Sequence, residues 1–264
     1  MSGQIIGLQD WFDTPPGRYL LAWEQAQFDQ AVEDLFGYHA LQLGLPEIAG
    51  LRNNRMSHRW LAALEACAAP RGALCADPTA LPFGASSLDL VLLPHTLDLS
   101  PDPHATLREV ERVLVPEGRV VICGLNPASL WGLRQRRARL YRRLGLGELF
   151  LPDTGEFLSY WRIRDWLRLL SFEVESSRFG IYRPAVRGEA WLDRFRWLDP
   201  LGERWWPIFG AVYFVVAVKR VRGMTLLNAQ WKRAKPIVTA PVPVAGRMRR
   251  GPAPSNMDHQ KEQR

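Results

Sequence analysis

Asp77, His95 and Asn126 are the residues best placed to do chemistry, because each follows closely on a short apolar run. Asp77 closes Ala73-Leu-Cys-Ala76, His95 follows Leu88-Asp-Leu-Val-Leu-Leu93 and Pro94, and Asn126 comes just after Arg119-Val-Val-Ile-Cys123. An ionised carboxylate only accepts hydrogen bonds, so Asp77 suits recognition of an amino group. It equally suits the capping of a turn beside Pro78. A histidine near its free pKa can take a proton from an acceptor atom. For His95 the alternatives are a packed loop residue or a contact at a ligand's edge. His104 falls in the first turn of a helix and reads as a surface residue. Cys67, Cys75 and Cys123 form no CxxC pair, which argues for a reducing compartment and against a zinc site. No nucleophile triad or Gly-rich phosphate loop can be read, so hydrolase and kinase chemistry fit poorly.

These residues need elements that bring them to one place. Leu88–Leu93 and Arg119–Cys123 read as fully buried strands. Between them Asp102, as N-cap, and Pro103, at the first helical position, open a helix striped by Leu107, Val110 and Leu114. Strand, helix and strand of this kind imply parallel pairing with helices on both faces. Ligands on such sheets bind at the carboxyl ends of the strands. That edge collects Gly44, Asp77, Pro94, His95 and Asn126. His39–Leu45 reads as a first strand, and residues 57–66 read equally as strand or helix. Phe172–Ser176 and Ala211–Lys219 read as the last strands. Arg18–Phe36 carries an apolar period through Leu20, Phe28 and Val32 and is stopped by Gly37. Ile163–Leu170 reads as a further helix, and Pro116-Glu117-Gly118 as a turn.

The block from Ala73 to Gly124 resembles the type-11 group of class I S-adenosylmethionine-dependent methyltransferases, a bacterial group in this case. It carries an acid–small–x–x–Leu–Pro–Phe element at Asp77–Phe83, then Ser87-Leu-Asp89 before a strand. A helix ending in Leu114-Val-Pro-Glu-Gly118 and a further strand follow. The resemblance implies a doubly wound α/β fold with a mostly parallel seven-stranded sheet and S-adenosyl-L-methionine as cofactor. It places Asp77 by the adenine amino group, with Pro78 and Thr79 flanking the ring, and Leu93 and Pro94 at the cofactor. The Gly-rich first loop of the family falls on Gln42, Gly44, Pro46 and Ile48, so Gln42 and Gly44 are its cofactor contacts here. One glycine of three is present, and Gln42 stands in place of an acid. Glu47 and Glu65 are the acids nearest the expected ribose contact. Relatives fold an N-terminal helix over the cofactor, which assigns that cover to Tyr19, with Trp23 one turn on.

Residues 127–160 are read as a lid insertion. Its Arg134–Arg143 stretch contains six Arg and no acid, which suits an anionic acceptor, an acidic carrier protein or a membrane surface. Leu130, Leu133, Leu140, Tyr141 and Leu144 can share its apolar face. Tyr160, Trp161, Trp166, Trp191, Trp197, Trp205 and Trp206 suit an acceptor pocket or a core. The net charge of +7 sits in the tail, since Lys219–Arg264 holds eleven Lys/Arg against two Asp/Glu. The expected organisation is a methyltransferase-like domain over 1–221 and a basic, Pro-rich, disordered tail over 222–264. The longest uncharged apolar run, Trp205–Val218, has fourteen residues against the roughly 20 that a spanning helix needs. It reads as a buried strand. No signal peptide pattern precedes it, so a cytoplasmic location is expected. Three functions follow: methyl transfer to a small or carrier-bound acceptor, a non-catalytic descendant that binds a partner, and an RNA-associated methyltransferase.

Overall fold

A computed structural model describes residues 11–63, 73–143, 149–151 and 157–221. In chain order the elements are α1 (Pro15–Glu33), β1 (His39–Leu43), β2 (His58–Ala63), β3 (Leu74–Cys75) and β4 (Leu88–Pro94). Then come α2 (Thr96–Leu99), α3 (Pro103–Val113), β5 (Leu114–Leu125), α4 (Leu130–Arg143) and α5 (Tyr160–Leu169). β6 (Phe172–Gly180), α6 (Glu189–Arg194), α7 (Leu198–Trp205), a 3-10 turn (Pro207–Phe209) and β7 (Val212–Lys219) complete the order.

The seven strands form one sheet in the order β3-β2-β1-β4-β5-β7-β6. Strands β1 to β5 run parallel, and β7 is antiparallel to both β5 and β6. Strand residues alternate between two apolar layers, as a pleat of period two requires. Leu90, Leu92, Cys123 and Phe214 meet α1 through Leu20, Phe28 and Val32. Val91, Leu93, Ile122 and Val215 meet α3 and α5 through Leu107, Val110, Ile163 and Leu167.

The N-cap Asp102 accepts from the Ala105 amide at 2.9 Å, and Pro103 opens α3 as its fixed φ allows. α1 starts earlier than its apolar period suggests, because Thr14 caps it and Pro15 and Pro16 occupy the first turn. The turn at Pro116–Gly118 is present as a bulge inside β5. Leu88 pairs with Leu114 and Leu90 with Arg119, so the residues between swing out, with Glu117 at φ 65°. The Trp205–Val218 run is not one strand. Pro207 removes a donor and breaks it into a helix end, a 3-10 turn and β7. β1 leads to β2 through turns in place of a helix, in a stretch rich in breakers: Gly44, Pro46, Gly50 and Asn54.

The apolar residues of α4 read as sharing one face lie on its exposed side. Leu130, Leu133, Leu140 and Tyr141 are exposed, while Trp131 and Gln135 are buried. Trp131 donates from Nε1 to the Arg183 carbonyl, and Gln135 bonds the backbone of Phe150 and Leu151. Of the aromatic set, Trp161, Trp191, Trp197, Trp205 and Trp206 are exposed. Leu144, part of the 127–160 insertion, and the tail 222–264 fall wholly or partly outside the described residues. No helix among the described residues is long and apolar enough to cross a membrane.

Candidate functional site

The carboxyl ends of β4 and β5 hold a buried ionisable cluster centred on His95. This residue follows β4 in the left-handed region, at φ 52° and ψ 8°, which few non-glycine residues adopt. Its amide donates to the Cys123 carbonyl at 2.9 Å, fixing it between the two strand ends. Imidazole Nε2 lies 2.7 Å from Glu24 Oε1, and Nδ1 lies 3.3 Å from Asp98 Oδ2. Asp98 Oδ2 also accepts from the Leu125 amide at 3.0 Å, and Cys123 Sγ donates to Glu24 Oε1 at 3.3 Å. Tyr213, directly across from Gly124 on β7, brings its hydroxyl to the same region.

Burial alone would push the His95 imidazole down, but the facing Glu24 and Asp98 outweigh it and lift its pKa to about 10. At neutral pH the ring is therefore an imidazolium. It is not the near-neutral base that its residue type suggests. Burial, with Glu24 and then Asp98 nearby, pushes the Cys123 thiol up. Burial and the Asp98 charge do the same to the Tyr213 phenol. Glu24 Oε2, Asp98 Oδ1 and the Tyr213 hydroxyl are buried with no hydrogen-bond partner among the described residues. Native interiors rarely leave such groups unpaired, so these three atoms retain unused hydrogen-bonding capacity.

Glu24 and Asp98 were not singled out from the sequence. Glu24 did leave a signal. Leu20, Glu24, Phe28 and Val32 are spaced by four along α1 and all face inward, so a carboxylate interrupts an otherwise apolar stripe.

The other candidates bond elsewhere, although Pro94 and Asn126 adjoin the cluster in sequence. Gln42 is buried at the end of β1, and its amide closes the first loop on itself. Nε2 donates to the Leu45 and Ile48 carbonyls at 3.0 and 2.6 Å, and Oε1 accepts from the Gly50 amide at 3.0 Å. Gly44 at φ 85° and Leu45 at φ 31° give the chain its left-handed bend there. Gln42→Leu should strand three buried backbone groups and lower stability by about 2–3 kcal/mol, read from the urea midpoint. A variant as stable as the parent would mean that other groups hold the loop.

Asp77 is exposed, and its carboxylate accepts from the Thr79 amide and hydroxyl at 2.8 and 2.7 Å. The Thr79 hydroxyl, then its amide, hold Asp77 below the usual carboxylate range. Pro78 is buried beside it. Leu93 and Pro94 lie inside β4 with their side chains buried. Asn126 ties backbone together: Nδ2 donates to the Ile208 and Gly210 carbonyls, and Oδ1 accepts from the Ala128 amide. The Tyr19 hydroxyl donates to Asp199 at 2.5 Å under the Arg183 guanidinium, which fastens α1 to α7. Glu65 lies outside the described residues.

Residues 46–122 match the sequence model of the methyltransferase-domain family Methyltransf_11. The uncharacterized protein YafS of Escherichia coli (strain K12) is 30% identical over 234 residues, covering 88% of this chain and 89% of that protein. The chain belongs to the class I methyltransferases. Solved structures agree on the fold. An S-adenosylmethionine-dependent methyltransferase from Thermotoga maritima aligns with a TM-score of 0.53 at 15% identity, over 76% of this chain and 92% of that one. One from Archaeoglobus fulgidus aligns at 0.51 and 15%, over 76% and 94%. In this chain the first loop, from Gly44 to Gly50, is held by the Gln42 side chain.

Proposed function

We propose that the chain transfers a methyl group from S-adenosylmethionine to a small or carrier-bound acceptor at the His95 cluster. One observation supports this most: two carboxylates flank a single imidazolium at the carboxyl edge, and each keeps an unpartnered buried oxygen. As carboxylates they outnumber the cation between them, so the cluster suits a positively charged group. The family and fold imply S-adenosylmethionine, whose sulfonium and ammonium outnumber its carboxylate, and the donor set fits that excess. When bound, it supplies an electrophilic methyl group.

The remaining roles belong to the chain. Glu24 Oε2 is the atom that takes a proton from an acceptor which loses one. His95, held as imidazolium, bonds both carboxyl groups and fixes their orientation. Asp77 and Thr79 form the rim toward the adenine, and Gly44 offers backbone free of a side chain.

Calorimetric titration with S-adenosylhomocysteine tests this reading. Binding should be measurable, should weaken in Asp77→Ala, and at 100 times Kd should stabilise the fold by about 2.7 kcal/mol. The Gln42-closed loop favours a second reading, a methyltransferase fold kept for binding a partner. Absence of heat and of any melting shift at saturating ligand would decide for that second reading.

A further inference from the structure

Between α7 and β7 the chain exposes five consecutive apolar residues, Trp205-Trp206-Pro207-Ile208-Phe209. The exposures of Trp205, Trp206, Ile208 and Phe209 are 66, 55, 45 and 56%. A run of exposed apolar residues of this length is unfavourable unless something covers it. Looseness does not explain it, because the backbone beneath is held at several points. The Tyr182 hydroxyl donates to the Pro207 carbonyl at 2.9 Å, and Asn126 donates to the Ile208 and Gly210 carbonyls at 2.7 and 2.9 Å. Gly202 lies against the Tyr182 ring and Gly210 against the Gly180 backbone, so both flanks are packed closely. The fold presents these side chains outward as a rigid tip.

The tip has a basic neighbour. Asn126 also accepts from the Ala128 amide, so one side chain fixes both the tip and the approach to α4. α4 carries six Arg and no acid, and it exposes Leu130 and Leu133 along with Arg136 and Arg137. Glu203 and Arg204, just before the tip, offset each other in charge.

We infer that the tip and α4 together dock this protein on an anionic phospholipid surface. Trp and Phe favour the boundary between headgroups and acyl chains, and Arg pairs with phosphate. A second copy would bring the six Arg of one α4 toward the same set on the other, so like charge opposes that occupant. Docking in this way turns the strand ends that carry His95 toward the bilayer, since the tip leads directly into β7 at that edge.

The test uses the full chain, vesicles of phosphatidylglycerol with phosphatidylcholine, and vesicles of phosphatidylcholine alone. The parent should sediment with the anionic vesicles, and brominated acyl chains should quench its tryptophan emission. Trp206→Ser/Phe209→Ser removes side chains whose backbone alone carries the local hydrogen bonds, so its melting temperature should stay near the parent's. Its partitioning should fall by about tenfold or more. Arg136→Gln/Arg137→Gln should flatten the salt dependence. Three outcomes overturn the inference. The parent stays in solution with anionic vesicles. The tip variant binds as well as the parent, which assigns attachment to the basic segment. Or the tip drives association with a second copy or an acidic protein, seen by light scattering, without vesicle binding.

Discussion

His95→Gln should destabilise the fold by about 3–5 kcal/mol at neutral pH, because it leaves two buried carboxylates without their cation. Glutamine can still donate a hydrogen bond, so the loss reports charge rather than bonding alone. The pH dependence gives a second readout. The folded-state pKa of His95 is raised from 6.5 to about 10. Its contribution is therefore complete below about 6.5, where folded and unfolded forms both hold the proton. It fades as pH rises toward 10, where the folded form must release it. Parent stability should decline across that window, and the variant should lack that part of the slope. Chemical denaturation of both proteins across the window measures this. A loss below about 1 kcal/mol with identical slopes would mean that the ring is not the cation holding Glu24 and Asp98.

Gly124→Ala should cost about 3 kcal/mol, because there is no room for a methyl group between β5 and β7. A Cβ at Gly124 would come within 2.3 Å of the Tyr213 hydroxyl and 2.5 Å of its ring carbon Cζ. Tyr213 is itself fully buried and lies directly across the antiparallel ladder, so it has little freedom to swing away. Tyr213→Ala would open a cavity by itself. In the double variant the two losses should fall short of their sum, because the collision no longer exists. Additive losses in a thermal-denaturation cycle would place the strain elsewhere.

The strands were readable where the chain is apolar on both sides. β4 and β5 are buried on both faces of a parallel sheet, so their sequences are nearly continuous Val, Leu and Ile. The start of α3 was readable because Asp102 and Pro103 act locally. α4 was not readable on its buried side, for the opposite reason. Its leucine stripe is regular, but Trp131 and Gln135 are drawn inward by carbonyls and amides at Arg183, Phe150 and Leu151. Those partners lie in other segments and leave no trace in the helix's own period. The site divides in the same way. His95 could be found from its place after β4, and its protonation could not, because that depends on Glu24 from a distant helix. For Asp77 the two readings open in the sequence were ligand contact and turn cap, and its carboxylate is engaged in the turn with Thr79.

Glu24 meets His95 across 71 positions of the chain and Cys123 across 99. Contacts so distant in sequence require loop-closure entropy to be spent before they can form. The buried carboxylate of the first helix meets its cation only where His95 stands at the end of β4, held there by the Cys123 carbonyl of β5. Seating of that helix therefore depends on two neighbouring strand ends being in register.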